Sequence, residues 1–237
     1  MTSEAPAPLA SARRESPATG RLVAFSLMAV PISAAQVPLT VYLIPIYSQY
    51  FGLPLKALGL VFLLERLWGA VADPLVGVLS DRSRSRWGRR KPWIAAGALV
   101  FALAGVPMFF PARGITAFHL GIVLFAFYLG WSMIQIPYFA WSGELSDDYH
   151  QRTRIVTYQQ VATAISLVLV LVLPIAAEQW RPGDGALKLN AMGVFVIASM
   201  LPAALSALPA FREPPLPARP PARAPLSVTL ALLARET

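Results

Sequence analysis

Gly77-Val-Leu-Ser-Asp81-Arg82-Ser-Arg84-Ser-Arg86-Trp87-Gly88-Arg89-Arg90-Lys91-Pro92 is the stretch that decides how the rest of the chain is read. It holds six bases and one acid, and long apolar runs flank it on both sides. A basic loop between two such runs marks the face of a membrane on which positive charge accumulates. A loop that serves topology alone needs bases in any order. This one adds Asp81 at its start, Gly77 four residues earlier, and Gly88 ahead of a basic triplet. The plain topogenic loop stays open as the alternative.

Outward from that loop the pattern repeats. A helix crossing the hydrocarbon core needs roughly 20 apolar residues. Six stretches qualify, at 22–46, 57–80, 92–112, 117–141, 155–177 and 189–211. Pro31, Pro38 and Pro45 interrupt the first. The apolar residues run continuously and do not alternate, so the fold class is an all-α integral membrane protein and not a β-barrel. With the N-terminus placed in the cytoplasm, fifteen Lys and Arg fall inside, four fall outside (Lys56, Arg113, Arg181, Lys188), and Arg66 is within a helix. That bias orients both termini to the cytoplasm, and a bacterial plasma membrane is the expected location.

Composition agrees. Of 237 residues, 56% are hydrophobic and 14% charged, and the mean hydropathy is +0.57. A soluble domain carries about 25% charged residues. The net charge of +8 does not point to nucleic acid, because the bases lie between apolar runs and not along one face. Zero cysteines exclude disulfides, thiolate metal sites and a cysteine nucleophile. Residues 1–21 read as an uncleaved, disordered cytoplasmic tail. Residues 212–237 read as a stiff, basic, Pro-rich linker and the start of a further segment, with a natural basic C-terminal tail as the alternative.

Glu65, Arg66 and Asp73 lie within the second span, where an ionised group costs on the order of 2.5–3.5 kcal/mol. Arg66 and Asp73 share a helix face but stand about 10.5 Å apart along it, so each needs a partner elsewhere. For Glu65 and Arg66 the plainer reading is packing near the helix end. Asp73, mid-helix and followed by Pro74, points to function.

The basic loop resembles the one between helices two and three of the major facilitator superfamily. Glu65-Arg66-Leu-Trp68-Gly-Ala-Val-Ala-Asp73-Pro74, the Arg84-Ser-Arg86-Trp87-Gly88-Arg-Arg-Lys-Pro92-Trp93 run, Ile136-Pro137-Tyr138, and Gly143-Glu144 through Arg152-Thr153-Arg154 resemble the glycoside–pentoside–hexuronide:cation symporters, the melibiose-permease relatives. The resemblance implies six transmembrane helices forming one half of a twelve-helix fold, with a second half from the same full-length chain or a second copy. It implies a secondary transporter working by alternating access between the two halves, in a lipid bilayer. It also implies a cytoplasmic charge network, here Asp81, Arg82, Arg86, Gly88, Arg89, Arg90, Glu144 and Arg152.

Departures from that pattern bear on mechanism. Sodium-coupled members carry an additional Asp and an Asn in helix two, where this chain has Gly69 and Ala72. Sodium favours several hard oxygen ligands, whereas a lone carboxylate in apolar surroundings can take a proton. The expectation is coupling through Asp73 to a proton, with sodium the second choice, or uncoupled transport, and no cofactor or metal. Charged sugar-binding positions of the family fall here on Ser33 or Ala34, on Gln135 and on Gln160. Gln can hydrogen-bond hydroxyls without offering a charged acceptor. Trp131 and Phe139 lie four residues either side of Gln135 and can stack on a ligand ring, or can pack against lipid. A small neutral polar solute fits these residues better than a galactoside.

Other constellations are absent from the sequence. Glu144, Asp147 and Asp148 sit beside Arg152 and Arg154, which suits ion pairing at helix ends. His119 and His150 stand alone, without zinc-ligand spacing. Nothing supports an enzyme. A second function class, a non-transporting half or a membrane scaffold or assembly subunit, is favoured by the missing cation and sugar residues. The retained Asp73 and the Asp81 loop count against it.

Overall fold

A computed structural model describes residues 18–211 and Glu213, apart from Arg84, Arg113 and Asp147. Residues 1–17 of the expected 1–21 tail, and all of the expected 212–237 linker except Glu213, lie outside these residues; Thr19 to Arg21, expected in the tail, already belong to a helix. Among the described residues every regular element is helical: α1 (Thr19–Ser26), α2 (Ala29–Val37), a π-helical turn at Pro38–Tyr42, α3 (Leu43–Gln49), α4 (Leu55–Arg82), α5 (Lys91–Phe109), α6 (Ala117–Glu144), α7 (Tyr149–Trp180) and α8 (Gly185–Ala210).

The first four of these form one broken rod, Thr19–Gln49. Among the described residues, that rod and α5, α6, α7 and α8 are the five stretches long and apolar enough to cross a membrane. Length alone also suits α4, but it carries Lys56, Glu65, Arg66, Asp73, Asp81 and Arg82. The chain is thus an all-helical membrane protein. Many helix faces expose large apolar side chains, such as Leu103, Val168 and Leu201, as a bundle in lipid requires.

Prolines explain the broken rod. A proline has no N–H to donate to the carbonyl four residues earlier, so Pro31 leaves the Leu27 carbonyl without its helical donor. Val30 N–H takes that carbonyl instead (3.0 Å), and the helix restarts at Ala29. Freed or strained carbonyls at this break find side chains: Tyr138 hydroxyl donates to Phe25 O (3.1 Å) and Ser166 hydroxyl to Val30 O (2.7 Å). Pro38 opens the π-helical turn in the same way.

The helices pack around two aromatic clusters. Phe25 meets Tyr138, Trp141 and Phe211, and Phe127 meets Phe101 and Phe109. The broadest contact is α5 against α6, followed by α4 against α6. At the α5–α6 crossing two glycines face each other: a Cβ on Gly130 would lie 2.5 Å from the Phe101 nitrogen, and one on Gly97 3.0 Å from the Gly130 carbonyl. Small residues let helix backbones approach where lipid supplies no hydrophobic drive. α6 therefore sits centrally and presents its opposite side to α4.

Candidate functional site

Two polar centres lie along α4. The first is at its Arg82 end. Arg90, 3% exposed, precedes α5 and joins Asp81 (3.2 Å) and Glu144 (2.7 Å) through the same Nη2. Arg89 pairs with the other oxygen of Glu144 at 2.7 Å. A buried guanidinium is tolerated only with such partners; here Nη2 makes both contacts, while Nε and Nη1 have no partner among the described residues. The ends of α4, α5 and α6 are tied together by this cluster.

Glu213, which the sequence reading did not single out, completes the cluster from the far end of the chain. Its carboxylate accepts from the backbone N–H groups of Arg89 (2.5 Å), Arg90 (3.0 Å) and Lys91 (2.7 Å). Those are orphan donors at the start of α5, where an anion is also favoured by the helix dipole. Arg82 and Arg86 are exposed and make no ion pair among the described residues, and neither does Arg152. The Arg152 guanidinium lies beside Gly143. Asp148 serves as the N-cap of α7, accepting from His150 N–H at 2.8 Å. Glu144 pairs with Arg89 and Arg90, not with Arg152.

The second centre lies at mid-helix, between α4 and α6. Ser132 hydroxyl, 2% exposed, donates to Asp73 Oδ1 at 2.5 Å. One turn along α4, a Cβ on Gly69 would meet the Tyr128 ring at 2.8 Å and its hydroxyl oxygen at 2.9 Å. The space that a side chain at position 69 would need is filled by that phenol. Tyr128 is also close enough to Asp73, Glu65 and Arg66 to feel their charges.

Beyond Tyr128, towards the Leu55 end, is a cavity of about 240 Å³ between the broken rod, α4 and α6. Glu65, Arg66, Tyr128, Trp131 and Gln36 contribute its polar and aromatic lining. Glu65 is buried, at 5% exposed, and lies well inside α4, whose first residue is Leu55, and not at the helix end.

The residues expected at a solute site are spread out. Trp131 lines the cavity. Gln135 is half-buried and Phe139 exposed further along α6. Gln160 lies in an open, mostly apolar groove on α7 together with Arg152 and Tyr149. Gln159, its buried neighbour, accepts from Ser142 hydroxyl at 3.1 Å. Ser33 is occupied by Ala29 O and Thr163. Among the described residues no cluster could hold a metal ion through His, Cys, Asp and Glu.

A cavity and an acid–hydroxyl contact thus lie between long apolar helices, with a charge cluster at one end. Residues 24–213 match the family described as MFS/sugar transport protein. The chain belongs to that family. As a member of the MFS/sugar transport proteins it is similar to an uncharacterised symporter of Synechocystis, 32% identical over 215 residues, covering 83% of this chain and 39% of the relative. The inner membrane symporter YicJ of Escherichia coli is 33% identical over 139 residues, covering 56% and 30%. A lactose permease of Lactobacillus delbrueckii is 31% identical over 119 residues, covering 46% and 19%. These relatives are transporters and not enzymes. The chain spans well under half the length of each of them.

Proposed function

We propose that this chain is the first six-helix half of a secondary transporter that moves a small neutral polar solute together with a proton. In this reading α4 is the sixth membrane-crossing helix, and both ends face the cytoplasm. A second half, from the same full-length chain or from a second copy, closes the other side of the solute path, and the two halves rock to alternate access. The relatives named as symporters and as a lactose permease support a coupled, sugar-type transporter.

The observation that carries proton coupling is the contact between Tyr128 and Gly69. A sodium site needs several oxygen ligands. Here Asp73 has two hydroxyl neighbours, Ser132 and Tyr128, and the volume next to it is filled by the aromatic ring of the latter. A single carboxylate flanked by hydroxyls, with no second acid beside it, suits a proton. Trp131 belongs to the solute path, with Gln135, Phe139 and Gln160 completing it against the second half. The cluster of Asp81, Arg89, Arg90 and Glu144, with Gly88 at its turn and Arg82, Arg86 and Arg152 around it, latches the cytoplasmic side in one access state.

Uptake by the native membrane product in proteoliposomes tests this. An imposed pH gradient is expected to drive accumulation, an equal sodium gradient is not, and Asp73→Asn abolishes the pH-driven component. Sodium-stimulated uptake would overturn the proton assignment, and an absence of any solute uptake would overturn the transporter itself.

A further inference from the structure

A second recess lies between α4 and α6 at the Leu55 end of α4, an open groove of about 540 Å³. Leu60 and Leu64 form one wall and Phe118, Ile122 and Phe125 the other; all but Phe125 are 45–80% exposed. The floor is a close approach of the two helices, where a Cβ on Gly121 would lie 3.8 Å from the Val61 side chain. Trp68, one turn beyond Leu64, stacks on Phe125 with ring centroids 5.9 Å apart and caps the inner end. No polar side chain lines the groove, so it offers a solute nothing to hydrogen-bond.

Its mouth is positive. Lys56 is exposed and lies one turn before Leu60, at the groove's edge. Both helices begin at this mouth and neither has an acid in its first turn, so the positive ends of two helix dipoles add to the lysine. Glu65, the nearest acid along α4, is buried and lines the other cavity. From 50 to 64 and from 110 to 143 the sequence holds two bases, Lys56 and Arg113, and no acid apart from none at all on the groove side. Bases are disfavoured on the outer side of a membrane, yet two of the four expected there stand within four residues of where these two helices begin.

Length and charge decide between occupants. Ala57 to Leu64 spans about 10.5 Å of helix axis and Ala117 to Phe125 about 12 Å, within the roughly 15 Å hydrocarbon depth of one leaflet. A packed transmembrane helix would follow α4 and α6 across the full depth of about 30 Å, whereas this groove ends at Trp68 and Phe125. A second copy related by a two-fold axis would bring Lys56 towards its own equivalent at the same depth, where like charges repel. A single acyl chain suits an apolar slot of this length, and a phosphate above it answers the lysine.

We propose that this groove holds one acyl chain of an anionic phospholipid from the outer leaflet, with the headgroup phosphate on Lys56. The inference rests on the reading of α4 as a membrane-crossing helix and not on the solute or the coupling ion. Seated there, the lipid braces the starts of α4 and α6, the two helices whose contact holds Asp73 against Ser132.

Quenching of Trp68 by brominated acyl chains tests this in proteoliposomes of the native membrane product. Dioleoyl phosphatidylglycerol and dioleoyl phosphatidylcholine, each brominated at the double bonds, carry identical chains under different headgroups. The Trp68 signal is the difference between wild type and Trp68→Phe, which keeps a ring against Phe125. Half-maximal quenching is expected at an about fivefold lower mole fraction of the phosphatidylglycerol, the size of one lysine contact with an anionic lipid surface. Lys56→Gln should abolish that preference, and Gly121→Leu, which lays a side chain over the floor, should reduce it. Size-exclusion profiles report folding, and the exposed Lys56 keeps the test open where Gly121→Leu misfolds. Equal quenching by both headgroups overturns the site, as does a preference that survives Lys56→Gln. A Trp68 that neither lipid quenches also overturns it, the result expected where a helix of the second half covers the groove. Solute uptake in the same vesicles separates the two readings: a lipid preference without uptake keeps the site and removes transport, and uptake without a preference does the reverse.

Discussion

A Cβ on Gly88 would lie 2.7 Å from the carboxyl carbon of Glu213 and 2.7–2.8 Å from both its oxygens. Gly88 also holds φ at +115°, a conformation L side chains rarely adopt. The two residues are separated by most of the chain, yet the carboxylate reaches the first amides of α5 only because position 88 has no side chain.

Gly88→Ala is therefore expected to displace Glu213 and to destabilise the protein by about 1–3 kcal/mol, through backbone strain and loss of the cap. Glu213→Ala should cost about 0.5–2 kcal/mol as a lost cap and helix-dipole partner. The double variant should cost less than the two singles combined, since both remove the same contact. The fraction of protein surviving graded heating in detergent, read by size-exclusion chromatography, gives all three values. Full additivity would show that the contact does not form.

Glu144 is the shared anion of Arg89 and Arg90. Glu144→Ala leaves the buried Arg90 with Asp81 alone and is expected to destabilise by about 1–3 kcal/mol, because a hydrogen bond to a charged group is lost. Arg90→Lys should stay less stable and less active than the wild type, because one nitrogen, Nη2, makes both contacts and a strongly hydrated ammonium is costlier to bury there than a guanidinium. The same thermal assay, with uptake alongside, checks both. Wild-type behaviour of Arg90→Lys would show that charge alone matters at this position.

Restoring an acid at position 69 should not create a sodium site. Gly69→Asp drives its Cβ into the Tyr128 ring, so the single variant is expected to fold poorly or to expel that ring. Gly69→Asp combined with Tyr128→Gly and Ala72→Asn opens the space and supplies oxygen ligands. Sodium-stimulated uptake is expected only in the combined variant, measured against potassium at equal ionic strength.

Helix packing gives a sharp contrast between two glycines. Gly130→Ala places a methyl group against the α5 backbone at Phe101, which is rigid, so helices α5 and α6 must separate. Strong loss of folded protein is expected, at the large end of overpacking effects, about 3 kcal/mol. Gly59→Ala meets nothing within 4 Å on α4 and should be neutral or stabilising by about 0.4–1 kcal/mol. Yields of monodisperse protein from parallel preparations compare the two.

Much of this architecture could be read from the chain, because membrane helices announce themselves by composition. Apolar runs, the three prolines of the first rod, and the basic loop carry local signals that do not depend on tertiary contacts. The cluster around Arg90 was legible as a set of charges, though not as pairs. Which carboxylate meets which guanidinium depends on how α4, α5 and α6 end in space. Glu213 was illegible because its partners are backbone amides some 120 positions away, and a backbone amide leaves no mark in the sequence. Ser132 left no signal because a serine hydroxyl in an apolar helix commonly bonds its own backbone, and Tyr128 left none because an aromatic ring in such a helix ordinarily packs against its neighbours. Glu65 could be read as a helix-end residue until the fold placed it against α6.

The Tyr128 ring and the bare Gly69 also constrain how relatives can diverge. Side chains at these two positions compete for one volume, so neither can grow while the other stays large. Aligned relatives should show exchange between the positions: an acid at 69 accompanied by a small residue at 128, or a ring at 128 accompanied by glycine at 69. A lineage passing from one ion to the other would have to change both, and any intermediate with two large residues should be rare. The choice of coupling ion would then be inherited as a matched pair rather than as a single letter.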